Sequence, residues 1–507
     1  MTGARARLAR AAGALALIAA SFALYGRSLS YPPIWDDHAF VVDQPFLKDP
    51  RALKVLLDPR RFLRVLPVAN AARPVWLASV LADRAAGGGG FAILRASNLF
   101  WCGAGAVVLS ALAWELTADA AASWAAGLLF AVHPTHAEVA EIVAFRSDAL
   151  AFFFGTLALL LYVRSRRSAR SAAWIAAALA AFALALLSKE SAVAVFPLLA
   201  VVDLVIAPEK SIRRRAAVYG AFAVVLSAYL YYRAPRAGYE SAAGRDAFTA
   251  AFESVPAAFS PVSRVDPSDQ AYVAARNDRG GRTRDPRPWD DDFKNAGTRW
   301  RTLVAVQGSS LRRLWWPTRL QGDYCPAPAR SWADAGFLSA LASWALLLTV
   351  AIWSRRRVPT VTAGLWWIAA ALLPVSGIVT MRNLTADRYL YFASAGVCLA
   401  AAGLVGASLP RRRAALAACA VVAGFWGFLV VERLPAFSSD RSFYAATVAV
   451  DPGVARARYN LGLAQWSAGD EVDAEENLRA AARLWPQSER VKAGLDAFLA
   501  RPRAAKP

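Results

Sequence analysis

The chain has 507 residues, 57% of them hydrophobic, with a mean hydropathy of +0.34 and 18 tryptophans. Apolar content this high, gathered in blocks of about 20 residues, rules out a soluble multidomain protein and predicts an all-α, polytopic membrane bundle. The net charge of +21 does not make it a nucleic-acid binder, because the arginines fall in short clusters between the apolar blocks.

The first apolar stretch follows Arg5, Arg7 and Arg10. It ends at Tyr25-Gly26-Arg27-Ser28 without a small-x-small cleavage site, so it reads as a retained first helix. Length and flanking charge predict about eleven spans, at 10–29, 92–115, 120–133, 148–164, 171–188, 190–207, 215–233, 335–353, 361–379, 390–409 and 413–432. With the N-terminus inside, this arrangement keeps Arg164/Arg166/Arg167/Arg170, Lys210/Arg213/Arg214/Arg215, Arg355–Arg357 and Arg411–Arg413 on the inner side. The C-terminus then lies outside, and the basic excess attracts anionic headgroups. The spans at 120–133 and 148–164 are short, so the stretch between them can re-enter the membrane.

Outer loops are expected at 30–91 and 234–334. Residues 234–300, rich in Arg, Asp, Gly and Pro, read as partly disordered. Trp300–Leu320 reads as an interfacial amphipathic helix with Trp315 and Trp316 at headgroup depth. Cys102, Cys398 and Cys419 lie in apolar segments and Cys325 in an outer loop, so no disulfide framework is expected.

The sequence changes in kind near residue 434, which divides the chain into a membrane domain, 1–433, and a C-terminal region, 434–507. Pro452 and Pro486 stand 34 residues apart, the period of a tetratricopeptide repeat. Leu461, Gly462, Gly469, Ala474, Leu478 and Ala481 occupy its small and apolar positions, while Arg458 replaces an early aromatic. One repeat cannot bury its apolar face alone. It needs 488–500, the helix 438–449 or a protein partner to complete it.

Candidate chemistry gathers on the predicted outer side. Asp36 and Asp37, next to the first span, are adjacent carboxylates suited to taking a proton from a hydroxyl. Repulsion between them would raise one pKa, and the alternative is helix capping. Arg146, Lys189 and Arg388 are candidates for an anionic phosphate. Equally, Arg146 could pair with Asp148 or Glu190, and Lys189 could snorkel from a helix end. His133, His136 and Glu138, with His38 nearby, invite a metal reading. Zinc needs three or four ligands in fixed geometry, and Pro134 sits between the rings, so orienting or proton-sharing histidines are preferred and no metal or other cofactor is assigned. Tyr389 and Tyr391 fit an aromatic belt.

His133-Pro134-x-His136-x-Glu138, Phe145-Arg146-Ser147-Asp148, Leu187-Ser188-Lys189-Glu190 and Phe196-Pro197 form an ordered set along the chain. With Arg73-Pro74, Arg95-x-x-Asn98, Leu373-Pro374-Val375-Ser376 and Asp387-Arg388-Tyr389-Leu390-Tyr391, this set resembles the transmembrane and tetratricopeptide-repeat O-mannosyltransferases and their bacterial relatives. That family often has His where Arg95 stands and Glu where Asp387 stands, and its eukaryotic members carry many repeats. The resemblance implies a C-type membrane glycosyltransferase that moves a sugar from a polyprenyl-phosphate to a protein or glycan hydroxyl. It implies a bacterial inner-membrane protein with its active site and C-terminus in the periplasm. An aspartate of the first outer loop would be the base, basic residues near the membrane would hold the lipid phosphate, and Arg73, Glu190 and Tyr389 would support them. Two other functions fit the same features: a scaffold recruiting an envelope partner through the repeat, or a lipid-linked polysaccharide ligase.

Overall fold

The computed structural model describes residues 3–49, 51–57, 73–87, 90–205, 211–240, 287–379, 381, 383–408 and 411–501. The expected disorder of 234–300 falls largely on 241–286, outside these residues. All regular structure among the described residues is helical. The main helices are α1 Gly3–Tyr25, α2 Pro74–Gly87, α3 Phe91–Thr117, α4 Ala120–Ala131, α5 Ala137–Glu141, α6 Arg146–Ser165, α7 Ser171–Ser188, α8 Val195–Asp203 and α9 Ile212–Glu240. They continue as α10 Ala296–Trp315, α11 Ala335–Ser354, α12 Pro359–Leu372, α13 Tyr391–Ala407, α14 Arg412–Arg433, α15 Asp440–Val450, α16 Ala455–Ser467, α17 Glu471–Leu484 and α18 Glu489–Leu499.

Among the described residues, seven helical segments are long and apolar enough to cross a membrane, on α1, α3, α6, α7, α11, α13 and α14, and α4 and α12 are shorter apolar helices. Apolar side chains such as Leu346, Ile352, Val421 and Phe428 stand exposed on α11 and α14, as lipid-facing positions do. Between α4 and α6 the chain does not run straight. It passes through 3₁₀ turns at Pro134–His136 and Val143–Phe145 around the short α5, and every residue from His133 to Phe152 is buried. Irregular backbone at this depth needs internal partners for its polar groups. Asn98 on α3 donates to the carbonyls of Val139 and Ile142 at 3.2 Å each, and Arg95 donates from Nε to that of Glu141 at 3.0 Å.

The same device recurs. Short 3₁₀ turns at Glu190–Ala194 and Asp387–Leu390 precede α8 and α13, and α8 has only nine residues. The charged residues of the sequence motifs sit in or beside these turns, at one end of the bundle. At the other end Arg164 and Arg167 pair with Glu115 at 2.9 and 3.1 Å, Arg166 with Asp203 at 3.3 Å and Arg412 with Asp119 at 2.8 Å. Basic clusters far apart in sequence thus converge on one face, as charge patterning predicts.

Helices α12 and α13 meet through glycine. A Cβ on Gly396 would collide with the carbonyl oxygen of Gly364, and one on Gly364 with that of Gly396. Small residues permit this close backbone approach. Gly396→Ala should therefore cost about 1–3 kcal/mol through overpacking, read as a lowered thermal unfolding temperature in detergent. An unchanged midpoint would mean that the two helices can separate freely.

Helix α10 begins four residues before the expected amphipathic segment, where Asn295 caps it by accepting from Thr298 N at 3.0 Å. Leu303, Leu311 and Leu314 face inward while Trp300, Trp315 and Trp316 stay exposed. At the C-terminus α15 to α18 stack in sequence. The change near residue 434 is not a packing boundary, because Leu434, Phe437, Phe443, Tyr444 and Leu461 belong to the same apolar core as the bundle.

Candidate functional site

Asp37 is fully buried. Its Oδ1 accepts from the backbone N–H of Ala144 at 2.9 Å, in the irregular segment after α5, while Oδ2 has no hydrogen-bond partner. Burial pushes this carboxyl up to about 7, opposed by Ala144 and Arg95, with Asp36 a minor contributor to the rise. The repulsion expected between the two aspartates is therefore not the main cause; desolvation is. Asp36 is only half-buried and lies within electrostatic reach of Arg388 and Arg456. Asp37 makes no side-chain cap on the turn it precedes, while the Ala144 N–H it accepts from lies in the 3₁₀ turn that leads into α6.

One side chain clamps this loop in place. Arg95, also fully buried, donates from Nη1 to Ser28 O at 2.9 Å and to Tyr31 O, and from Nη2 to Pro32 O at 2.7 Å. With its Nε on Glu141, it clamps the start of the loop onto α5. Trp35 then takes φ +49°, in the left-handed region that a bulky residue rarely adopts.

The expected phosphate ligands divide. Arg388 donates from Nη1 to Glu138 Oε2 at 3.2 Å, and its guanidinium lies 4.1 Å over Phe145 and 5.4 Å over Trp35. No protein partner takes its Nε or Nη2 among the described residues, and neither atom is sealed from solvent. Lys189 reaches Asp148 at 2.5 Å. Arg73 grips Glu190 with two prongs, 2.6 and 3.1 Å, and Arg233 approaches the same carboxylate at 3.7 Å. Burial would raise Glu190, but Arg73 and Arg233 outweigh it and hold the carboxyl well below its ordinary range. Tyr389 lies within electrostatic reach of Arg388, Asp148, Glu190 and Arg73, which makes these residues one cluster.

Arg146 stands apart. It is fully buried, donating from Nε to Asn98 Oδ1 at 2.7 Å, from Nη1 to Ser79 Oγ at 3.1 Å and from Nη2 to Leu94 O at 2.6 Å, and it pairs with Asp83 at 2.6 Å. Its partner is neither Asp148 nor Glu190, and its donors are directed into α2 and α3 rather than towards Arg388.

His133 and His136 stack with ring centroids 5.2 Å apart, but His38 does not join them. His133 Nδ1 accepts from Thr135 N at 3.3 Å, so Nε2 carries the proton and donates to Leu314 O at 3.1 Å. Ser394 gives its hydroxyl proton to Tyr391 O at 2.8 Å, so His136 Nε2 donates to Ser394 Oγ, also at 2.8 Å. Both rings thereby fasten α4 and α5 to α10 and α13. His38 lies elsewhere, 2.8 Å from Asp440. Among the described residues no three His, Cys, Asp or Glu side chains gather closely enough to hold a metal ion.

No family model, no curated protein and no solved structure matches the chain.

Several residues of the site carried little sequence signal. Glu141 is fully buried, neither carboxylate oxygen has a hydrogen-bond partner, and burial pushes it up to about 8. Its spacing from Glu138 puts the two on one helix face, a signal that could have found it. Asp387, visible in the sequence only as part of its motif, accepts from Arg313 Nη1 at 3.1 Å, Tyr324 Oη at 2.5 Å and Arg433 at 2.8 Å, joining α10, the loop after it and α14. Arg456 of α16 grips Asp323 through two donors and reaches Asn383 at 3.0 Å.

Proposed function

We propose that this protein is a membrane transferase that moves a sugar from a polyprenyl-phosphate donor to a hydroxyl of a protein or glycan, with Asp37 as general base. The observation that carries this reading is the Asp37 carboxylate: buried, held through one oxygen by Ala144, its other oxygen free, and raised to about 7. A base poised near the working pH is what proton abstraction from a hydroxyl requires. In the proposed step Oδ2 takes the hydroxyl proton, the hydroxyl oxygen bonds to the anomeric carbon, and the bond from that carbon to the phosphate oxygen breaks. The departing phosphate carries both electrons of that bond and needs only cationic stabilisation. Arg388, Lys189 and Arg73 supply it, with Glu138, Asp148 and Glu190 fixing their side chains. Arg146 is left out of this donor site, and His133 and His136 support the scaffold around it.

The reading includes eleven membrane segments, with α8 and α9 among them, and an outward-facing site. A reporter fused after residue 432 should read as external, and one fused near 168 as cytoplasmic. A cytoplasmic C-terminus would remove the repeat region from the face that carries Asp37.

We further read α16 and α17 as one tetratricopeptide-type hairpin. In support, Gly462 packs directly against Leu478 and Ala474, and Arg458 hydrogen-bonds Pro452 O at 2.7 Å and Asn477 at 3.0 Å where an aromatic is usual. Val491 of α18 joins Tyr459, Leu478 and Ala481 in a small core of its own, which completes the hairpin on that side.

The test is glycoproteomics of the envelope fraction from a deletion strain, the wild type and an Asp37→Asn strain. A set of hexosylated peptides present only in the wild type is expected. Identical glycopeptides in all three strains would remove the transferase reading.

A further inference from the structure

We propose that Asp440, the first residue of α15 in the C-terminal region, is a positioning residue for the segment Trp35–His38 and, through it, for the Asp37 base. The inference rests on the transferase reading above. Asp440 lies 405 residues from Trp35 in sequence, yet Trp35 N donates to its Oδ1 at 2.8 Å and His38 Nε2 meets its Oδ2 at 2.8 Å. One carboxylate thus bridges the two residues that flank Asp36 and Asp37.

The surroundings show why such a bridge matters. A tryptophan at φ +49° is in an unfavourable conformation, and such residues persist only where their neighbours over-determine them. Here the neighbours are Asp440 on the backbone N–H, the Phe443 ring 4.8 Å from the indole, and the Phe145 ring edge-on at 5.4 Å. Two of the three belong to α15. That helix is itself pinned: Thr447 Oγ1 accepts from Gly322 N at 3.3 Å, and the Phe443 ring covers Gly322 so closely that a Cβ there would collide with it. Within the loop, Asp37 N donates to Ile34 O at 3.0 Å and His38 N to Trp35 O at 3.2 Å, so a change of φ at Trp35 carries Asp37 with it. Without Asp440, relaxation of Trp35 towards negative φ would draw the Asp37 carboxylate away from Ala144. The C-terminal region then holds the base in its working position as well as packing on the bundle.

A merely structural explanation is available: an acidic residue in the first turn of α15 favours the helix through its dipole. Asp440→Glu separates the two. It keeps the charge in that turn but moves the carboxylate by one methylene, so a dipole role predicts wild-type behaviour and a positioning role predicts a defect.

The experiment uses the full-length protein in proteoliposomes with a polyprenyl-phosphate hexose donor, and compares wild type, Asp440→Ala, Asp440→Asn, Asp440→Glu and Asp37→Asn. Displacement of about 1 Å can cost on the order of 10²-fold in rate. Asp440→Ala and Asp440→Glu are expected to lower kcat by about 10- to 100-fold with the donor KM unchanged. Asp440→Asn, which still accepts from Trp35 N, should retain most of the rate. Hydrogen exchange at the amides of Trp35–His38 should rise in Asp440→Ala and Asp440→Glu while α6 and α13 stay protected. Should the alanine variant fail to accumulate, the glutamate variant answers the same question. Wild-type kcat in Asp440→Glu, or unchanged exchange at Trp35–His38, overturns the inference while an inactive Asp37→Asn keeps the transferase reading. If Asp37→Asn retains the wild-type rate, the transferase reading fails and takes the inference with it.

Discussion

Asp37→Asn is expected to lower sugar transfer by about 10²–10⁴-fold, the usual cost of losing a general base, while the protein still accumulates and still binds donor. Asparagine keeps an oxygen to accept from Ala144 N and replaces only the unpartnered Oδ2, so no backbone donor is orphaned. Alanine is the poorer test, because it leaves the buried Ala144 N–H unsatisfied at a cost of about 1–3 kcal/mol. Asp36→Asn should be milder. That side chain is half-buried on the Arg388 and Arg456 side, and its removal weakens the electrostatic field without removing the proton acceptor.

The pH dependence follows with a definite sign. Asp37 acts as a base only when ionised, and its carboxyl is raised to about 7 by burial. The wild-type kcat/KM should therefore climb with pH through about 7 and level off above it. Any residual activity of Asp37→Asn should lack that limb. A flat wild-type profile between pH 5 and 9 would take the proton acceptor away from Asp37. Full transfer by the Asp36→Asn, Asp37→Asn double variant would favour the scaffold reading.

The helical class and the two-faced charge pattern were legible in the sequence, because both follow from local composition. A run of about 20 apolar residues makes a span whatever its neighbours do, and Arg164 or Arg412 marks a helix end by itself. Asp37 was legible for the same reason: a carboxylate beside an apolar span is conspicuous. The cause of its raised pKa was not, since sequence shows adjacent charges but not desolvation. The irregular stretch from His133 to Phe145 showed only as two short spans with polar residues between them. What makes it viable, Asn98 and Arg95 reaching across from α3, is tertiary and leaves no trace in spacing. Asp440 is the extreme case, one acidic residue at the start of an ordinary amphipathic helix. Nothing local separates it from Asp470 or Glu489 at the starts of α17 and α18, because its meaning comes from a contact across 405 residues.

Arg146 gives the second large effect. Arg146→Gln should destabilise the bundle by about 3–5 kcal/mol, the range for breaking a buried charge pair from one side. Asp83 would lose its counter-charge, and Asn98 Oδ1, Ser79 Oγ and Leu94 O would each lose a donor. Lysine should not rescue it, because one ammonium cannot send donors to α2 and α3 in the separate directions that a planar guanidinium reaches. The expected readout is a fall in detergent-soluble yield and in unfolding temperature for both variants. Arg388→Gln should behave in the opposite way. It touches Glu138 alone among protein carboxylates, and burial already pushes the Glu138 carboxyl up, so that residue can take a proton and stay neutral when its partner is gone. The fold should survive while affinity for a polyprenyl-phosphate sugar falls, and Arg388→Lys should recover part of it as a point charge without the fork. The two arginines were indistinguishable as sequence, each next to a motif carboxylate, and the experiment separates them by what fails first. If Arg146→Gln folds as wild type and loses donor binding, Arg146 returns to the phosphate site, and its three hydrogen bonds must open to admit the ligand.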